Sequence, residues 1–292
     1  MESAALSVTP PQAPADGWRI VLRHHWPLRL MHWINLACML ALIGSGLQIF
    51  NAHPALYWGD ISRFDRPAFA LQTRAAPDGS LRGVTVIGAR QFDTTGVLGV
   101  SRNLAGKSVP RGFPKWLTIP GAKDLAQGRR WHFFFAWVFV INGAFYLLWS
   151  WRSRHLARDL APTGAELRGI GASVREHLRF RHPVGEAALR YNVLQKLAYL
   201  VVLFVLLPGI VLMGLAMSPT MDSVLGWLVD LVGGRQSART WHFVFAVLLV
   251  AFVAVHVLMV LVSGPLNQLR GMVTGRYRVP PDPSAAPRED NP

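Results

Sequence analysis

The chain has 292 residues, of which 51% are hydrophobic and only 16% charged, and its formal net charge is +14. Soluble domains carry about 25% charged residues, so the balance points to a membrane protein. The excess of basic residues is then the excess that cytoplasmic loops collect, not a nucleic-acid surface. A single cysteine, Cys38, excludes an intrachain disulfide, a Cys-rich zinc site and a cysteine-held iron–sulfur cluster, and no Cys-x-x-Cys-His motif is present.

In chain order, the first 18 residues have neither a basic n-region nor an apolar h-region, which predicts an uncleaved tail. A spanning helix needs about 20 mostly apolar residues, and four segments qualify: 28–50, 131–151, 193–217 and 241–263. The expected fold is an all-α membrane protein, a four-transmembrane-helix bundle over 28–263. Its flanks are an N-terminal tail, 1–27, and a C-terminal tail, 264–292. The first two spans are joined by a long outer loop, 51–130, rich in Gly, Pro and Arg, in which "LRGVTVIGARQFD" predicts a short strand pair.

Loop charge sets the orientation. Residues 152–190 hold eight Arg and no Lys, and the C-terminal tail adds Arg270, Arg276, Arg278 and Arg288; the loop 218–240 holds only Arg235 and Arg239. Both termini and the second loop are therefore expected in the cytoplasm and the other two loops outside. "RRWHFFFA" from Arg129 and "RTWHFVFA" from Arg239 agree at six of eight positions, a partial repeat opening the second and fourth spans; the first and third spans do not match well.

Four of the ten histidines lie within the spans: His32, His132, His242 and His256. An imidazole in hydrocarbon is costly without a partner, so each is a functional candidate. His242 and His256 are 14 residues apart. On a helix that spacing rises about 21 Å and falls roughly 40° short of four turns, placing both on one face at opposite sides of the bilayer. His132 enters the second span at the depth of His242, and His32 lies at the depth of His256. Zinc usually takes three or four protein ligands, and the spans contain no Asp or Glu beside these histidines. Haem iron needs only two axial imidazoles. Small residues (Gly44, Ser45 and Gly46; Gly143 and Ala144; Gly209 and Gly214; Ala251 and Ala254) offer room for a macrocycle, and Pro208–Gly209 predicts a kink. Arg29, Arg129, Arg130 and Arg239 stand beside the ligand positions as cations for propionates, although a basic interface residue also serves as a lipid anchor. His53 is the competing ligand for the outer site, and His25 or His155 for the inner one.

The stretches "LRLMHWINLACMLALIGSGLQIF", "RRWHFFFAW", "WHFVFAVLLVAFVAVH" and "LRGMVTGRY" resemble the bacterial cytochrome b561 and nickel–iron hydrogenase b-type cytochrome family. The subgroup they look most like accompanies molybdopterin-dependent oxidoreductases. The resemblance covers the four spans and implies a bacterial inner-membrane protein with two non-covalent b-type haems. One would be held by His132 with His242 facing the periplasm, the other by His32 with His256 near the cytoplasm. It implies electron exchange with a quinone and with a periplasmic redox partner, a molybdopterin oxidoreductase or a c-type cytochrome. The chain departs from the family by its long first loop, read as a docking surface or a lid.

The leading expectation is electron transfer across the membrane between the quinone pool and that partner. Two others stand beside it: a superoxide:ubiquinone oxidoreductase acting alone, and a haem-free membrane anchor subunit.

Overall fold

A computed structural model describes residues 18–103, 105–178, 189 and 191–279. The outermost parts of both tails, Arg288 and His182 lie outside the described residues. Four helices are long and apolar enough to cross a membrane: Trp26–Phe50, Leu125–Arg152, Val193–Ala216 and Arg235–Val262. The first, second and fourth are α1, α2 and α8. The third is built from α5 (Val193–Val201), a π-helical turn (Val202–Leu206) and α6 (Leu207–Ala216). Pro208 in the first turn of α6 has no N–H to give to the preceding turn, and the wide π turn just before it absorbs that loss. In the most apolar windows only 33, 11, 11 and 6% of residues are buried, so large apolar side chains such as Phe134, Trp137 and Phe145 stand outward, as contact with acyl chains requires.

Helices α2 and α8 begin six residues before the apolar runs at 131 and 241, because their first turns, "LAQGRR" and "RQSART", are too polar to register in a hydropathy window. The first turn of α8 binds the first connection. Ser237 Oγ accepts from Gly59 N–H at 2.8 Å, Thr240 Oγ donates to the Tyr57 carbonyl at 2.6 Å, and Arg239 donates to the His53 carbonyl at 2.7 Å.

The connection between α1 and α2 corrects the all-α expectation. It carries a four-stranded antiparallel sheet in the order β2 (Ala55–Leu56), β3 (Phe69–Ala75), β4 (Leu81–Ile87), β5 (Arg90–Asp93), followed by the hairpin β6 (Val100–Arg102) with β7 (Ser108–Pro110). The strand pair expected in "LRGVTVIGARQFD" is β4 with β5, in the register Ile87↔Arg90. Gly88, at φ 56°, supplies the two-residue turn. The sheet packs through Ala55, Tyr57, Ala70 and Val86, while Leu56 and Leu71 join Phe50 of α1 and Phe243 of α8 in a second cluster.

The chain divides into two compact units. One, Met31–Trp149 with Leu200–Ala254, contains this connection and the facing parts of the spans. Here Asn51, at the end of α1, donates to the Phe113 and Ala122 carbonyls (3.0 and 2.9 Å) and accepts from Phe113 N–H (2.6 Å). The other unit comprises Met1–Leu30, Ser150–Tyr199 and Val255–Pro292. Both tails contribute to an ordered pair there: β1 (Arg19–Leu22) runs antiparallel to β8 (Arg276–Val279). Helix α9 (Pro265–Thr274) ends at Gly275, whose φ of 80° suits glycine and whose carbonyl accepts from Arg23 N–H at 2.8 Å. The basic second loop forms α3 (Gly164–Arg168), opened by a Thr163–Glu166 capping box, and α4 (Ile170–Leu178). Glu166 also grips the buried Lys196 of α5 at 2.8 Å.

Two outcomes are expected. Asn51→Leu strands the Phe113 and Ala122 backbone groups at a cost of about 1–3 kcal/mol each, so trypsin should cut after Lys115 and Lys123 several-fold faster than in wild type. The hydrogen bond from Lys196, with those from Thr163, holds the Glu166 carboxyl below its ordinary value. A depressed carboxylate stabilises above its unfolded pKa of about 4.3 and loses that contribution as pH falls. Thermal unfolding followed from pH 7 to pH 3 should show a falling midpoint in wild type, and Glu166→Gln should lower the pH 7 midpoint and flatten that fall.

Candidate functional site

His132 of α2 and His242 of α8 face each other with ring centroids 6.1 Å apart and planes at 62°. Their tautomers follow from their neighbours. The Ile210 carbonyl lies 2.8 Å from His242 Nδ1 and can only accept, so Nδ1 carries the proton. Ser45 Oγ lies 3.1 Å from His132 Nδ1, but its own hydrogen goes to the Ala41 carbonyl at 2.6 Å. Ser45 therefore accepts, and His132 Nδ1 is protonated as well. Both rings keep their Nε2 lone pair, the form that ligates a metal, with the opposite nitrogen fixed by a protein acceptor.

Each ring rests on a glycine of a neighbouring span. A Cβ on Gly46 would lie 3.5 Å from His132 Cε1, and one on Gly214 would lie 3.4 Å from His242 Cε1. His132 is held by Ser45, the residue before Gly46, and His242 by the Ile210 carbonyl, four residues before Gly214. The first and third spans thus each give one ring an acceptor close in sequence to the glycine it rests on. Of the other glycines proposed as spacers, Gly143 has open space beside it, but two behave differently. A Cβ on Gly44 would meet Ile119 at 2.8 Å, and one on Gly209 would meet the Phe245 ring at 2.7 Å, so side chains already fill those places.

A metal bound at about 2 Å by one nitrogen of each imidazole sets the two centroids roughly 6 Å apart, which the observed separation meets. Among the described residues no group of three or more His, Cys, Asp or Glu could hold a metal ion. A site with two imidazoles suits an iron whose other ligands come from a macrocycle.

The remaining candidates are spread more widely. His32 on α1 is half-buried, edge-on to Trp33 at 5.4 Å, and His256 on α8 is also half-buried; they fall in different units. His53 follows the end of α1. It packs against Tyr57 and Phe64 at 5.7 and 5.9 Å, and burial, aided by the Arg239 charge, pushes its pKa down. His155 is paired with Asp159 at 2.6 Å, and His25 is exposed. The arginines divide. Arg239 is engaged with the His53 carbonyl and lies over the Phe50 ring at 5.7 Å, and Arg29 donates to the Val273 carbonyl. Each of these contacts uses one terminal nitrogen of a guanidinium that carries five N–H donors. Arg129, over Phe133 at 5.6 Å, and Arg130 are exposed.

Two polar residues escape the sequence reading. Ser45 stands there only as a small residue. Asn142, 5% exposed, donates to the Met31 carbonyl at 3.0 Å and to Asn35 Oδ1 at 2.7 Å, beside the turn that carries His32. The signal was available in "FVINGAF", an amide inside an apolar run.

Comparison with known proteins agrees with this chemistry. The family model for prokaryotic cytochrome b561 matches residues 23–275. A protein of Azospira oryzae, provisionally named protein-methionine-sulfoxide reductase subunit YedZ1, is 34% identical over half of this chain and 70% of its own length. A protein of Cupriavidus necator, provisionally named Ni/Fe-hydrogenase B-type cytochrome subunit, is 27% identical over half of this chain and 65% of its own length. No solved structure gives a significant match. With four membrane-crossing helices and a paired-imidazole site, this chain belongs to the prokaryotic cytochrome b561 family of membrane electron-transfer proteins, which bind b-type haem.

Proposed function

We propose that the chain is a di-haem b-type cytochrome of the bacterial inner membrane, carrying electrons between a quinone and a periplasmic redox protein. The observation that carries this reading is the His132–His242 pair at 6.1 Å, with both Nδ1 atoms donating to protein acceptors. His132 and His242 would hold one haem and His32 and His256 the other. Each iron, when bound, supplies reversible one-electron chemistry. The residues do the rest: Ser45 and Ile210 fix ring orientation and ligand basicity, and Gly46 and Gly214 leave each ring its place. One continuous helix, α8, carries a ligand for each site, His242 and His256, separated by a rise of about 21 Å.

The arginine count of residues 152–190 supports a cytoplasmic second loop and cytoplasmic termini. The β-rich connection then faces the periplasm, at the same end of α8 as His242. The quinone would react near His32 and His256, and the partner at the other pair. The relatives' names, a sulfoxide reductase subunit and a hydrogenase cytochrome subunit, support a redox enzyme as that partner, and a molybdopterin enzyme is the reading the sequence favours.

Purified wild-type protein should contain two b-type haems per chain, by pyridine haemochrome assay against protein mass. His242→Ala and His132→Ala should each leave one, as should His256→Ala. In the first two variants the surviving haem should have one and the same reduced spectrum, and His256→Ala should retain the other. Fewer than two haems in wild type, or a His242→Ala protein that keeps both, would sink the assignment.

A further inference from the structure

Residues 113–124, leading into α2, form a strap along the buried face of α1. Ile119 N–H donates to the Gly44 carbonyl at 3.1 Å, and its side chain lies against Gly44. The fully buried Gln48 accepts from Gly121 N–H at 2.7 Å and donates to the Asp124 carbonyl at 2.5 Å. Asn51 holds Phe113 and Ala122. The strap therefore closes over the turn of α1 whose Ser45 holds the His132 imidazole.

Its opposite side is of another character. Trp116 is 80% exposed, Lys115 and Lys123 are exposed, and Arg129 and Arg130 follow, exposed, in the first turns of α2. Over 113–130 these four cations face a single carboxylate, that of Asp124. Gln48 and Asn51 fix the strap's backbone, so Trp116 is held out from its own segment. A bulky aromatic on a rigid support, rimmed by cations, has the composition of a protein-binding hot spot. A uniformly positive rim attracts an acidic surface, accelerating encounter and fixing orientation.

We propose that the strap is the docking platform for a soluble, acidic-faced one-electron protein, seated on Trp116 and steered by Lys115, Lys123, Arg129 and Arg130. This rests on the reading that His132 and His242 hold a haem. One electron would cross the contact, lost by one protein and gained by the other, at the one-electron group that His132 and His242 would hold.

The test uses the full chain in neutral-lipid nanodiscs, with reduced flavodoxin as an acidic one-electron probe. Stopped-flow haem reduction should slow as salt rises. Lys115→Glu with Lys123→Glu should lower the low-salt rate about 10-fold or more, and Trp116→Ala several-fold, while the dithionite-reduced spectrum stays unchanged. Rates equal to wild type in both variants would overturn the proposal. So would loss, in Trp116→Phe, of the part of the tryptophan emission that brominated lipid quenches, since that would place Trp116 in the bilayer. Flavodoxin binding to the nanodiscs, measured by interferometry on the same variants, reads the surface without electron transfer. If wild type lacks the haem of this pair but binds flavodoxin through Trp116 and the lysines, the haem assignment fails and the docking surface stands. If binding ignores those residues, the surface fails.

Discussion

The arrangement depends on where two imidazole protons go. In an apolar span no water competes for an N–H, so an unpaired donor costs several kcal/mol and the ring turns to whatever acceptor is near. Ile210 offers a carbonyl and Ser45 a hydroxyl already donated elsewhere, and each takes an Nδ1 proton. The consequence lies on the other side of each ring, where Nε2 is left with a lone pair directed away from the protein's own acceptors. Ring orientation and tautomer are thus set by the first and third spans, which contribute no histidine to this pair.

The same rule governs the polar groups around it. Gln48, Asn51 and Asn142 are buried amides whose hydrogen bonds end on backbone groups of another segment, with Asn142 also reaching Asn35. Backbone acceptors do not move with rotamer changes, so each amide fixes a segment's position as well as satisfying itself. Gln48 and Asn51 hold the strap on α1; Asn142 holds α2 on α1 one turn from His32. Lys196 obeys the rule with a charge, and Glu166 answers it from a helix cap whose own backbone N–H it already satisfies.

How much of this the sequence disclosed follows from the range of each signal. Long apolar runs located the four spans, since hydropathy is summed over about 20 residues and local polar exceptions average out. The same averaging hid the first turns of α2 and α8; in α8 that polarity reflects contacts with the connection, and in α2 it is exposed. The strand pair β4–β5 was visible because its turn is two residues long and its pairing local. Strands β2, β6 and β7, of two or three residues, carry no period to read. Pairing of β1 with β8 joins residues more than 250 apart, beyond any local pattern. In the site, histidines stand out because they are rare in apolar helices. Ser45, Gly46, Ile210 and Gly214 are ordinary residues there, and only the approach of a ring gives them a role.

A final consequence concerns the connection itself. Its contacts converge on the two helices that border the His132–His242 pair: the strap on α1 at Gly44, Gln48 and Asn51, and the segment 53–59 on α8 at Ser237, Arg239 and Thr240. Arg239 and Thr240 are three and two residues before His242, and Ser45 follows Gly44 directly. A change in the connection's backbone therefore bears on the helix turns that set both imidazoles, through these hydrogen bonds. Its length reads less as an insertion tolerated at a surface than as the scaffold that fixes the spacing of the pair, with the partner-facing strap as its outermost layer.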